Sequence, residues 1–222
     1  AEDVAYLDAQ GMTIKIHATG DRAVRVALDA IAHARTVNGD SGIQHEISHA
    51  EMIHPDDIPR FAKLNTAAEM CPILWYPGPA VDTMRMTLGE RAEQFWPVKS
   101  LLDAGAEVIY GSDWPAVVPD TNPWPGIEAM VTRADPYSNT AETLWKEQAI
   151  DLATAIRIFT INGAKTGKHA DTTGSLEAGK QADFIVLDRN IFEVPIEEVS
   201  DVQVLHTYVA GEEVYRADAK AY

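Results

Sequence analysis

Three residues whose chemistry suits metal ligation each close a strand-like segment: His17 ends KIH, His49 ends EISH, and Asp113 ends YGSD. In a parallel α/β barrel every strand's carboxyl end opens on one face, so side chains far apart in sequence meet there. Neutral imidazoles bind zinc, iron or manganese, and a carboxylate beside an activated water both ligates and accepts the proton that hydrolysis releases. The set suits metal-assisted hydrolysis better than any other reaction class. Two His and one Asp at strand ends also arise by chance, so spacing alone leaves a purely structural reading open. The single cysteine, Cys71, excludes an internal disulfide and a cysteine-based zinc cluster within one chain, which leaves His and carboxylate as the available ligands.

The segments that must position these residues alternate between period two and helical spacing, the mark of parallel α/β structure. MTIKIH reads as a strand with Ile14 and Ile16 on one face and Lys15 and His17 on the other. DRAVRVALDAIAHART follows as a helix whose apolar stripe is Val24, Ala27, Leu28, Ile31 and Ala34. IQHEISHA and a helix around DDIPRFAKL form a second unit, with Pro55 and Asp56 suited to that helix's first turn. TAAEMC is a third strand, followed by a long excursion to a helix through PVKSLLDAG; EVIYGSD is a fourth, followed by the Pro- and Trp-rich WPAVVPDTNPWPG. Loops of that length are usually functional, so Trp75, Tyr76, Trp114 and Trp124 are candidate pocket residues, and Trp75 and Trp114 are taken as candidate substrate contacts. ETLWKEQAIDLATAIRIFTINGAKTG reads as one helical stretch. From about residue 168 onward DFIVLD, VQVLHTYV and GEEVY alternate at period two and predict a small β-rich unit, dividing the chain into residues 1–167 and 168–222.

IHATGDRAV, ISHAEMIHPDDIPRFAKL, GSDWP and GSLEAGKQADFIVLD, in that order, resemble the amidohydrolase superfamily, specifically the family-3 branch that includes N-substituted formamide deformylase. The resemblance spans nearly the whole chain. It implies the C-terminal half of a (β/α)8 barrel, strands five to eight, with part of a composite β-sandwich. It places metal-binding histidines of the fifth and sixth strands at His17 and His49, and an eighth-strand ligand and proton shuttle at Asp113. It further implies one or two divalent ions, zinc foremost, and hydrolysis of a C–N bond in an amide, formamide or similar small molecule. A deaminase is the nearest enzymatic rival, although IHATGD lacks the Glu that such deaminases place in that motif.

The chain departs from the pattern as well. Where relatives carry Arg and Glu before the sixth-strand His, this sequence has Glu46 and Ser48, and CPILWYP lacks the His that often follows the seventh strand. No His-x-His occurs, so first-half ligands must come from elsewhere, and the half-barrel's open edges call for a companion segment from the same or another chain. An inert fragment or interaction module of the same fold is the alternative reading. Among the other histidines, His33 reads as a surface residue, His54 as a cap before Pro55, and His45 as a hydrogen-bonded core histidine.

Composition sets the remaining bounds. With 222 residues, 46% hydrophobic and 23% charged, the chain matches an ordinary globular protein able to bury a core. A net charge of -16 opposes nucleic-acid binding by repelling phosphates. No apolar run is long enough to cross a bilayer and no leader-like segment opens the sequence, so a cytoplasmic address, a small-molecule substrate and possible homo-oligomerisation are the expectations.

Overall fold

A computed structural model of the chain describes residues 1–72, 75–116, 120–138 and 140–217. Four parallel strands, β1 (Lys15–Ala18), β2 (His45–His49), β3 (Thr66–Met70) and β4 (Val108–Tyr110), lie side by side in sequence order. Helix α1 (Glu2–Ala9) precedes β1, α2 (Asp21–Asn38) joins β1 to β2, and α3 (Ile58–Lys63), entered through a 3-10 turn, joins β2 to β3. His54 caps that turn by accepting the Asp56 N–H, as its place before Pro55 suggested.

Between β3 and β4 the long excursion is partly helical, with α4 (Pro79–Leu88) ahead of α5 (Val98–Asp103). Helix α6 (Trp124–Thr132) follows β4, although Pro123, Pro125 and Gly126 make its start look like loop in the sequence. The stretch expected as one helix is instead α7 (Leu152–Phe159) and α8 (Ile161–Thr166). Asp151 sets the start of α7 by accepting the Thr154 N–H at 2.9 Å. A separate antiparallel sheet holds β5 (Phe184–Leu187), β6 (Val204–Val209) and β7 (Glu212–Arg216).

Register gives the parallel sheet two unlike faces. Ile16, Ile47, Ala68 and Val108 stand in one cross-strand row. On that side the core forms with Val24, Leu28 and Ile31 of α2, Phe61 of α3 and Leu101 of α5, all fully buried. Each such side chain stabilises the fold by roughly 1.5–3 kcal/mol relative to exposure. The opposite face carries Lys15 and His17, Glu46 and Ser48, Ala67 and Glu69, a polar set where a closed barrel usually packs branched apolar residues.

A second polar cluster ties α1 to the sheet. Buried Asp8 accepts from Arg35 Nη1 at 2.8 Å, Asn38 Nδ2 at 2.8 Å and Ser41 Oγ at 2.7 Å, and His45 Nε2 lies 3.1 Å from its Oδ1. His45 is fully buried, and its Nδ1 accepts the Ile14 N–H at 3.3 Å. That bond fixes a neutral ring that donates from Nε2 to Asp8. Burial, with Arg35 nearby, holds the imidazole's pKa below its ordinary 6.5 despite the Asp8 charge.

Between the folded value and about 6.5 the unfolded chain binds a proton that the folded chain refuses, so this contribution is complete above about pH 6.5 and drains away as pH falls. Urea unfolding at pH 7.5 and 5.5 should show a lower midpoint at the acid value, and His45→Gln should flatten the slope. An unchanged slope in that variant would remove His45 as its source.

Candidate active site

The three strand ends converge. The His17 and His49 rings meet edge to face with centroids 4.4 Å apart, and His49 Nε2 lies 4.0 Å from Asp113 Oδ1. His49 closes β2 with a positive φ of 70°, and Ala50 follows at 44°. The chain is thereby turned back so that the Ala50 N–H reaches Ala18 O at 3.0 Å and the Met52 N–H reaches Thr19 O at 2.9 Å. Asp113 lies three residues beyond β4, also left-handed with φ 55°. Such backbone costs a non-glycine residue about 1–3 kcal/mol and tends to cluster where side chains must be aimed.

His49 is nearly buried, His17 is exposed, and the Asp113 side chain is partly open to solvent. On its Nδ1 side His49 faces Cys71 Sγ at 3.8 Å and Glu51 Oε1 at 4.0 Å. Burial, then the charge of Asp113, raises the Glu51 carboxyl above the usual range. Burial and the carboxylates of Glu69, Asp113 and Glu51 push the Cys71 thiol up to about 12, so it sits as a neutral small side chain and not as a nucleophile. Glu51 was not singled out from the sequence; its signal was its place two residues after His49 in SHAE.

The donor types suit a divalent transition ion, while their spacing stands open. Two bonds of about 2.1 Å would span the 4.0 Å between His49 Nε2 and Asp113 Oδ1 only at an angle far wider than tetrahedral. Among the described residues no three His, Cys, Asp or Glu side chains are gathered closely enough to hold an ion between them.

The aromatic candidates separate. Trp114, next to Asp113 in sequence, is 56% exposed. Trp75 offers no surface to a substrate, which corrects the expectation for it: the side chain is fully buried and stacked on Trp96 at 6.3 Å. The guanidinium of Arg133 lies 5.1 Å from the Trp75 ring centre. Arg133 is itself buried, held by the carbonyls of Leu144 (2.8 Å) and Phe95 (3.0 Å), and burial pulls its pKa down to about 9. Cation–π stacking and main-chain bonds thus make this cluster a clamp on the loops flanking α4 and α6. Asp21 is also structural: it sits in the first turn of α2, after the N-cap Gly20, and pairs with Arg91 at 2.6 Å.

The chain is 34% identical over 211 residues to Protein LONG AFTER FAR-RED 3 of Arabidopsis thaliana, covering 94% of this chain and 35% of that protein. It is 32% identical over 207 residues to N-substituted formamide deformylase of Arthrobacter pascens, covering 90% and 36%. Among solved structures, an uncharacterized metal-dependent hydrolase from Pyrococcus horikoshii OT3 superposes with a TM-score of 0.69 at 26% identity, covering 88% of this chain and 38% of that one. The chain therefore spans little more than a third of the length of these relatives. The model of the amidohydrolase family matches residues 1–215, and with it the protein is placed: this chain belongs to the amidohydrolase family.

Proposed function

We propose that the chain forms the strand-five to strand-eight half of a (β/α)8 barrel, residues 1–167, with residues 168–222 contributing to a β-sandwich beside it, and that the whole hydrolyses a C–N bond in an amide, formamide or related small molecule. The observation that carries this reading is the meeting of His17, His49 and Asp113 at the carboxyl ends of parallel strands. A divalent ion, zinc foremost, would be held by these three side chains drawn closer than they stand here, together with ligands from outside the chain, and would supply Lewis-acid polarisation of the substrate carbonyl and activation of water. Asp113 accepts the water proton at a carboxylate oxygen and returns it to the departing nitrogen. His49, backed by Cys71 and Glu51, presents Nε2 to the site, and Trp114 offers an aromatic surface at its mouth.

The formamide deformylase and the Pyrococcus hydrolase support the reaction class by likeness. The unpaired outer edges of β1 and β4 among the described residues support completion by further strands, from the same polypeptide or another copy.

Metal analysis of the purified protein tests the reading. At least one equivalent of transition metal per chain is expected, falling sharply in His17→Ala and His49→Ala while the far-UV circular dichroism is kept. A folded wild-type protein free of metal would turn the assignment over to the inert-module alternative. Ammonia released from aminopurines, with no turnover of amides, would move the reaction to deamination.

A further inference from the structure

We propose that Glu69 is the positioning residue of this site: from β3, the one strand of the four that offers no candidate ligand, its carboxylate ties together the three strands that carry His17, His49 and Asp113. The inference rests on the metal-site reading above and deepens it. Glu69 is 8% exposed and stands in the same cross-strand row as His17 and Ser48. Its Oε1 accepts from Ser48 Oγ at 2.9 Å, and its Oε2 pairs with the Lys15 ammonium, which also lies 3.9 Å from Glu46 Oε2. Toward β4 it occupies the space above Gly111, where an added Cβ would lie 2.4 Å from Oε1 and 2.7 Å from the carboxyl carbon. Gly111 has no left-handed φ, so glycine stands there for room and not for backbone freedom.

The offsets give the arrangement its meaning. Lys15 is two residues before His17 on the same strand face, Ser48 immediately precedes His49, and Gly111 is two residues before Asp113. One buried carboxylate thus sets the relative height and spacing of all three strand ends through an ion pair, a hydrogen bond and a close steric contact. A buried carboxylate held by two polar partners resists displacement, because moving it strips its own charge of those partners and leaves the buried Ser48 hydroxyl without its acceptor. Such outer partners govern how well the donors they orient can meet an ion.

Cobalt(II) loading of the protein as it exists, with whatever chain flanks these residues, provides a readout independent of turnover. Glu69→Gln should bind cobalt about 10–100-fold more weakly and change the shape of the visible d–d band. Gly111→Ala, which crowds the same carboxylate, should change the band in the same way. Glu93→Gln, at the exposed pair with Arg85, should leave both readouts at the wild-type value. If Glu69→Gln does not fold, Ser48→Ala removes one bond and should move affinity and band in the same direction by less.

A Glu69→Gln protein, or Ser48→Ala in its place, that melts earlier yet keeps wild-type affinity and band would overturn the inference and leave the metal site standing. A folded wild-type protein that takes up no cobalt would overturn both.

Discussion

Asp113→Asn should lower kcat by roughly 10²–10⁴-fold, the usual worth of a positioned acid–base group, with metal content unchanged. The amide keeps an oxygen where the carboxylate oxygen now lies 4.0 Å from His49 Nε2, so ligation loses little, but it cannot take a proton at neutral pH. Ground-state contacts with substrate survive, so KM should stay within a few-fold and the loss should appear in kcat and kcat/KM alike. Single-turnover measurements together with metal analysis separate the outcomes. Loss of metal would make Asp113 chiefly a ligand, and an unchanged kcat would remove it from proton transfer.

Asp8→Ala should cost about 3–5 kcal/mol, the range for removing one partner of a buried ion pair. The Arg35 guanidinium, with 12% of its side chain exposed, and fully buried His45 would lose the acceptor they share. Burial by itself would raise the Asp8 carboxyl, but hydrogen bonds from Asn38 and Ser41 and the charge of Arg35, with the His45 ring beside it, outweigh it and hold the pKa below the ordinary 3.8. A depressed folded value means that the contribution is complete above about pH 4 and is lost as pH falls through the folded pKa. Asp8 therefore extends to strong acid the loss of stability that His45 begins near neutrality. Urea unfolding at pH 7 checks the magnitude, and a loss under about 1 kcal/mol would mean that the cluster rearranges around the gap.

The parallel sheet and its strand ends were legible because hydrophobic alternation and helical stripes carry them. His17 and His49 stand at the carboxyl-terminal ends of β1 and β2 as KIH and EISH place them, whereas YGSD leaves its strand at Tyr110 and Asp113 lies three residues further on; His49 and Asp113 also take left-handed backbone that no propensity announces. Helices α4 and α6 were not legible, since Pro79, Pro123, Pro125 and Gly126 mark a loop just as well as a helix's first turn. Glu46 and Ser48 were visible as departures from the family's Arg and Glu, but what answers them was not. The cation comes from Lys15 on β1 and the carboxylate from Glu69 on β3, and only strand register brings residues 54 positions apart into contact. Trp75 misled for a related reason: an aromatic in a long loop reads as pocket lining until an Arg from after α6 is seen lying against it.

The clamp that buries Trp75 also gives the protein an internal light source. Trp75 and Trp96 are shielded from water, with the Arg133 cation beside one of them, whereas Trp114 stands in solvent next to Asp113. Emission from the buried pair shifts to longer wavelength when the loops flanking α4 and α6 open, and a quencher dissolved in the medium reaches Trp114 first. With Trp124 and Trp145, which also emit, replaced by Phe, occupancy of the site and opening of its supporting loops can be followed separately, in real time and without an added label.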